Sequence, residues 1–105
     1  MSFRDLDPED CQRELAQNVA LRVLDVRTSP EHQSHRLPDA TLIPLQELHL
    51  RVGELDPGVP YLVHCEHGVR SIRACEFLAQ QGFTNLTNLR GGLAHWIGRG
   101  LPFER

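Results

Sequence analysis

The sequence predicts an α/β fold with a mostly parallel sheet, and three observations support this prediction. Short β-rich segments alternate with helical patterns along the 105 residues, and this alternation is typical of parallel sheets. Residues 59–64 form a continuous apolar run rather than an alternating one, which suits a central parallel strand covered on both faces. The length is that of one domain, which we expect to span residues 1–105.

The first half of the chain contains signals for three strands and three helices. Asp7, Pro8 and the two acids that follow predict a helix with Asp7 as its N-cap. Ser29 and Pro30 repeat the cap-then-proline pattern before a short helix, whose histidines we expect to be solvated. Leucines and a valine at helical spacing predict a further helix. The predicted strands are 3–6, 21–26 and 40–43, and the predicted helices are 8–18, a short one near 32–35, and 45–52.

The second half is predicted to contain two strands and two helices. The strand 59–64 leads into a helix over 69–81, which Gly82 ends because glycine readily takes the left-handed cap conformation. Residues 85–89 form the weaker fifth strand signal. A last helix opens at residues 91–92, and Trp96 on it is expected to fill the core.

Composition and charge restrict the classes of function. The chain is 40% hydrophobic and 24% charged, with a formal net charge of −3, so it lacks the basic surface expected for nucleic acid or anionic membrane. No apolar run approaches the ~20 residues needed for a membrane span. The polar start lacks the apolar stretch of a signal peptide. We therefore predict a cytoplasmic protein without nucleic-acid or membrane partners.

Three cysteines, Cys11, Cys65 and Cys75, make an odd count. Without an export signal, reduced thiols are the expectation rather than a disulfide framework. Cys11 is expected to pack beside Leu15, and Cys75 to be structural. His64, Cys65 and the nearby His67 lack a familiar zinc spacing, so the sequence predicts neither a metal site nor another cofactor.

The stretch from Tyr61 to Ser71 carries the main candidate for chemistry, and the predicted elements are arranged around it. An apolar strand ends in Cys65, a short loop follows, and a helix begins directly behind it. The first N–H groups of a helix have no intrahelical partner, the helix dipole adds positive potential there, and a tight loop can turn several N–H groups into one anion-binding concavity. We therefore expect Cys65 to be a nucleophile held partly as the thiolate. Arg70 adds a fixed positive charge, and Gly68 permits backbone angles that side chains forbid.

Asp25 and Arg27 follow where the second strand ends. We interpret them as a charge pair that fixes the following loop, in preference to a direct catalytic role. They are thus supporting residues of the predicted site.

The sequence resembles the rhodanese-type sulfurtransferases over nearly its whole length. Residues 65–71, Cys-Glu-His-Gly-Val-Arg-Ser, are similar to that family's active-site loop, Cys-x-x-Gly-x-Arg-Ser. Residues 24–27 resemble its Asp-Val-Arg, and residues 37–44 its Ile-Pro-Gly-Ala-x-Asn-Ile-Pro. Residues 82–86 and 89–96 resemble its closing Gly-Phe…Leu-x-Gly-Gly-x-x-x-Trp. In three places this chain departs from the family pattern: Asp39 stands where glycine is usual, Leu42 where asparagine is usual, and Arg36 where histidine is often found.

The resemblance implies a fold, an activity and partners. It implies a single rhodanese-like domain with a five-stranded sheet and helices on both faces. It implies that Cys65 takes sulfane sulfur from a small anionic donor such as thiosulfate, or from a protein persulfide. The resulting persulfide is passed to an acceptor thiol or cyanide. Cys65 and Arg70 are then catalytic, and the persulfide-binding loop consists of Glu66, His67, Gly68, Val69, Arg70 and Ser71.

Two alternatives remain beside sulfur transfer. Cysteine phosphatases and arsenate reductases resemble these enzymes, but their loop is one residue longer, whereas four residues separate Cys65 from Arg70 here. Rhodanese-like domains that do no chemistry serve as binding or regulatory modules, and these commonly lack the cysteine.

Glu66 is the least expected residue of the loop. A carboxylate beside the nucleophile opposes both thiolate formation and an anionic donor. Glu66 either points to solvent and does little, or lies near the donor and weakens thiosulfate binding, which a protonated His67 would partly offset.

Overall fold

Five parallel strands form one sheet in the computed structural model, which describes residues 2–105. The spatial order is β1-β5-β4-β2-β3, so β4 lies at the centre. The strands are β1 Arg4–Leu6, β2 Arg22–Asp25, β3 Thr41–Leu42, β4 Tyr61–His64 and β5 Leu86–Leu89. The predicted α/β class and the five-stranded parallel sheet are confirmed.

Four α-helices connect the strands, and a fifth follows β5. They are α1 Pro8–Gln17, α2 Ser29–Ser34, α3 Leu48–Arg51, α4 Val69–Gln80 and α5 Gly92–Gly98. The predicted single helix over 45–52 is wrong in detail, because α3 is one turn flanked by 3₁₀ turns at Leu45–Glu47 and Val52–Glu54. Short 3₁₀ turns are common where a connector must change direction over few residues.

Helices cover both faces of the sheet and divide the core in two. On one face, α3 and α4 contribute Leu48, Ala74 and Leu78. On the other face, α1 and α5 contribute Cys11, Leu93 and Trp96. The central strand serves both cores, since all four of its residues are buried. This confirms that the apolar run before Cys65 is a strand covered on both faces.

The helix caps follow the sequence signals only in part. Asp7 is the N-cap of α1, but its side chain makes no cap hydrogen bond and instead accepts from Arg90. The predicted cap role of Ser29 is wrong: Thr28 is the N-cap of α2, and Ser29 is its first residue. Thr28 and Glu31 form a capping box, in which each side chain bonds the backbone N–H of the other residue.

The backbone conformation of Asp39 explains why this residue can stand where the family pattern has glycine. Its φ is +58°, and it is the sole residue other than glycine with positive φ within residues 2–105. Aspartate tolerates this region better than most side chains, so the turn forms here without the usual glycine. Within the same residues, no helix is long and apolar enough to cross a membrane.

Candidate active site

The reactive thiol candidate lies at the carboxyl edge of the central strand. β4 ends at His64, Cys65 follows, and Gly68 takes a φ of +92° as the N-cap of α4. Position 68 requires glycine, because a side chain there would be strained and would also lie 3.1 Å from the Gly91 backbone nitrogen. Ligands of parallel α/β sheets bind at this edge.

Three groups of the loop surround the sulfur of Cys65. The N–H of Gly68 donates to Sγ at 3.1 Å, and the N–H of Ser71 donates at 3.3 Å. The Ser71 hydroxyl lies 3.3 Å from Sγ and can accept from the thiol or donate to the thiolate. Only 1% of Cys65 is exposed. The two N–H donors are placed to stabilise negative charge on the sulfur.

The N-terminus of α5 holds the loop from behind. The N–H of Leu93 donates to the carbonyl of Cys65 at 2.9 Å, and that of Ala94 donates to the carbonyl of Glu66 at 3.0 Å. Gly92 makes this approach possible, since a Cβ on it would lie 2.4 Å from the Glu66 carbonyl carbon. The loop carbonyls are therefore bonded to α5, while the N–H groups of Gly68 and Ser71 face the sulfur.

Arg70 forms a bidentate ion pair with Glu31 on α2. Its two terminal nitrogens lie 2.8 Å from the two carboxylate oxygens. Glu31 also accepts from the backbone N–H and the hydroxyl of Thr28, each at 3.0 Å. The Arg70 guanidinium, with these cap bonds, lowers the pKa of Glu31 to about 2. The fork of Arg70 is thus occupied by a permanent anion.

Asp25 and Arg27 form a fully buried charge pair. The Arg27 Nη2 lies 2.8 Å from Asp25 Oδ2 and donates as well to the carbonyl of His35 at 2.7 Å. Burial alone would raise the pKa of Asp25, but the hydrogen bonds from Arg27 and the neighbouring charges outweigh it and lower that pKa. In the register of the sheet Asp25 pairs with His64, which places this pair beside the Cys65 loop.

Glu66 does not point to solvent. Its Oε1 accepts from Arg27 Nη1 at 3.1 Å and lies 3.5 Å from His35 Nε2, and its side chain is 22% exposed. The interpretation of Glu66 as pointing to solvent is therefore wrong, because Arg27 holds the carboxylate against the protein. His67, its neighbour, is exposed.

Three histidines belong to this network. His32 Nδ1 lies 3.0 Å from Asp25 Oδ2, and the side chains of His32 and His35 are 20% and 25% exposed, so the expectation of solvated histidines is wrong. His64 is fully buried, and burial lowers its pKa. Its Nδ1 lies 3.1 Å from the carbonyl of Cys65, whereas its Nε2 has no hydrogen-bond partner among residues 2–105.

The other two cysteines are apart from this network. Both are free and buried, Cys11 in one core and Cys75 in the other. Burial raises the pKa of each thiol to about 12. Neither thiol is suited to nucleophilic chemistry at neutral pH.

The structure brings most of the predicted site residues together, in two groups. The first group is the sulfur cradle, which consists of Cys65, Gly68 and Ser71. The second is a charged cluster beside it, which consists of Asp25, Arg27 and Glu66. Arg70 turns to Glu31 instead of the sulfur. Sequence analysis missed Glu31, although the Thr-x-x-Glu capping pattern over residues 28–31 could have indicated it. The contact between α5 and the carbonyls of the Cys65 loop was missed as well. Its only signal in the local sequence is the pair Gly91 and Gly92.

In this α/β fold, a cysteine lies among N–H donors at the carboxyl edge of the sheet. This arrangement is typical of the class of proteins that use a reactive thiol. Comparison with known proteins specifies the class further. The family model for the Rhodanese-like domain matches residues 7–99, so the chain belongs to the rhodanese-like family.

Individual relatives match along most of their length. A protein named sulfurtransferase from Allochromatium vinosum is 34% identical over 98 residues, which cover 93% of this chain and 92% of that protein. The thiosulfate sulfurtransferase GlpE of Actinobacillus pleuropneumoniae is 29% identical and spans 98% of this chain and 94% of its own. The crystal structure of a rhodanese-related protein from Thermoplasma volcanium superposes with a TM-score of 0.87 at 33% identity, covering 95% of this chain and 96% of that one.

Proposed function

We propose that this protein is a sulfurtransferase that carries sulfane sulfur on Cys65. The observation that supports this most is the sulfur cradle, in which two backbone N–H groups donate to Sγ at 3.1 and 3.3 Å. The names of the sulfurtransferase relatives agree with it. The proposed unit is one rhodanese-like domain over residues 1–105.

Transfer proceeds in two displacements at sulfur. The Cys65 thiolate attacks the outer sulfur of thiosulfate, the S–S bond of the donor breaks, and its electron pair leaves with sulfite. Cys65 then carries a persulfide with an anionic outer sulfur. An acceptor thiolate attacks that outer sulfur, the new S–S bond of the enzyme breaks, and the Cys65 thiolate is regenerated. With cyanide as acceptor the product is thiocyanate.

Each group of the site has a role in this scheme. The N–H groups of the loop stabilise negative charge on the sulfur, as an oxyanion hole does on oxygen. The N–H groups of Val69 and Arg70 belong to the first turn of α4, where the helix supplies them no partner, and we assign the outer sulfur of the persulfide to them. No general acid is needed, because sulfite and thiolates leave as anions. Asp25 and Arg27 support the loop through Glu66, and the Arg70–Glu31 pair holds α4 against α2.

Intact mass measurement tests this proposal. After incubation with thiosulfate and desalting, the protein should gain the mass of one sulfur atom, and cyanide or dithiothreitol should remove it. Cys65→Ser should gain none. Cys75→Ser is the matched control, since it removes a buried thiol from the same face of the sheet and should still load.

The opposite result would favour a binding module. If several sulfane donors leave the mass of the unaltered protein unchanged, Cys65 is not a sulfur carrier. A cysteine phosphatase is disfavoured by the loop, because four residues between Cys65 and Arg70 leave less room for a tetrahedral oxyanion. The fork that would hold such an anion is also already bonded to Glu31.

A further inference from the structure

Two guanidinium groups lie in or beside the Cys65 loop, and both are paired with carboxylates. Arg27 has no exposed side-chain surface and bonds Asp25, Glu66 and a backbone carbonyl. Arg70 is 35% exposed, but both of its terminal nitrogens donate to Glu31. An anionic donor entering the site therefore meets backbone N–H groups and no unpaired guanidinium from this pair of arginines.

The charge balance of the loop opposes a dianion. Two guanidinium groups face three carboxylates, those of Asp25, Glu31 and Glu66. This set carries one net negative charge before the thiolate is counted. Glu31 remains ionised down to strongly acidic pH, since its pKa is about 2. Thiosulfate carries two negative charges, whereas the –SSH group of a hydropersulfide carries at most one, so a hydropersulfide whose other groups are neutral or cationic is a low-charge donor.

We propose that Glu31 is a specificity-determining positioning residue, which withholds Arg70 from dianionic donors and so selects low-charge sulfane donors of the hydropersulfide class. The inference rests on the proposed sulfur transfer and deepens it. Glu31 acts through Arg70 and does not touch the reacting sulfur.

Hydropersulfides suit the site chemically. The Cys65 thiolate attacks the outer sulfur of R–S–SH, the S–S bond breaks, and the electron pair leaves with the thiolate R–S⁻. The proton stays on the transferred sulfur, so Cys65 carries –S–SH until it loses that proton to solvent. No oxidant, reductant or free guanidinium is required, and the loop N–H groups stabilise the sulfur once it is anionic.

The first test uses the unaltered protein and varies salt. Where the charges around the sulfur are net negative, added potassium chloride screens the repulsion of thiosulfate. The KM for thiosulfate should then fall, by roughly twofold to fivefold between ~0.02 and ~0.3 M salt. At a net positive anion site the KM would rise with salt instead, and a rise would overturn the inference.

The second test replaces Glu31. Glu31→Gln removes the charge and frees the Arg70 fork, so the KM for thiosulfate should fall about fivefold to thirtyfold at low salt. The rate of sulfur loading from cysteamine hydropersulfide, whose ammonium offsets any charge on its persulfide, should change less than twofold. Glu14→Gln is the matched control, since Glu14 pairs with Arg4 at the start of β1, the opposite edge of the sheet, and should leave both donors unaffected.

A third variant separates charge from helix capping. Thr28→Val removes the hydroxyl of the capping box but keeps the carboxylate of Glu31. If Thr28→Val lowers the thiosulfate KM as much as Glu31→Gln does, or if Glu31→Gln leaves that KM unchanged, the inference is wrong. If Glu31→Gln does not fold, the salt dependence of the unaltered protein decides. If the unaltered protein accepts sulfur from neither donor, the proposed function fails and this inference fails with it.

Discussion

Gly92→Ala should be among the most damaging single-methyl substitutions in this chain. A Cβ at this position would lie 2.4 Å from the carbonyl carbon and oxygen of Glu66 and 2.6 Å from the nitrogen of His67. Ordinary contact begins near 3.4 Å, so the peptide behind the nucleophile would have to move by about 1 Å. The φ of Gly92, +71°, adds backbone strain.

The expected loss of stability has three contributions: backbone strain, the entropy of the unfolded chain, and weakened hydrogen bonds. Left-handed backbone costs a side chain about 1–2 kcal/mol, and the smaller entropy of the unfolded alanine chain returns about 0.4–1 kcal/mol. Displacing the loop also weakens the hydrogen bonds from Leu93 and Ala94 to the loop carbonyls, at about 1 kcal/mol each. We expect the free energy of unfolding to fall by about 2–3.5 kcal/mol, out of the 5–15 kcal/mol typical of a small domain.

Two glycines near the end of the same helix provide matched controls for urea unfolding. Gly98→Ala meets no atom within 4 Å and has no positive φ, so its stability should be unchanged or rise by up to about 1 kcal/mol. Gly100→Ala also meets no atom but has a φ of +76°, so it isolates the backbone strain, about 1 kcal/mol. Sulfur loading of Cys65 should slow only in Gly92→Ala.

Equal destabilisation by Gly92→Ala and Gly100→Ala would contradict this prediction. If Gly92→Ala lowers the free energy of unfolding by no more than Gly100→Ala does, the close approach of α5 to the loop contributes nothing. Normal sulfur loading in a folded but destabilised Gly92→Ala would show that the position of the loop peptide does not matter to the thiol.

Three further predictions concern buried or paired groups. Cys75, whose pKa burial raises to about 12, should resist iodoacetamide in the folded protein at pH 8, and labelling as fast as Cys65 would contradict this. Because the folded-state pKa of Glu31, about 2, lies below its ordinary value of 4.5, its pair stabilises the protein above pH 4.5, and this contribution disappears as pH falls towards 2. Chemical unfolding against pH should therefore lose about 1–2 kcal/mol less in Glu31→Gln than in the unaltered protein, and parallel curves would oppose the assignment. Glu66→Gln should destabilise by about 1 kcal/mol, since Arg27 loses a charged acceptor. It should lower the thiosulfate KM less than Glu31→Gln does, and a larger fall would reverse the roles of the two carboxylates.

Local sequence signals were sufficient for the order of elements and for the position of Cys65 between a strand and a helix. The helix that starts behind Cys65 begins at Val69, as predicted, and ends one residue before the predicted end. Gly82 has the left-handed φ, +92°, that the sequence predicted for it. These features depend on residues adjacent in the chain, where turn chemistry and hydrophobic pattern act directly.

The partners of the charged residues could not be predicted in this way. Arg70 pairs with Glu31 and Arg27 with Glu66, and in both cases 39 positions separate the partners. No periodicity links residues so far apart, and Arg70 has the same local context whether it faces a ligand or a carboxylate. The fully buried His64 lies within an apolar run, whose pattern predicts the strand and not the partner of the imidazole.

The contact of α5 with the Cys65 loop also bears on how the protein is made. Synthesis proceeds from the amino terminus, so Cys65 leaves the ribosome before Leu93 and Ala94, whose N–H groups bond the loop carbonyls. A nascent or stalled chain that stops before Gly92 carries the thiol without this support. The support of the Cys65 loop by α5 is therefore completed only near the end of synthesis, once residues 93 and 94 have been added.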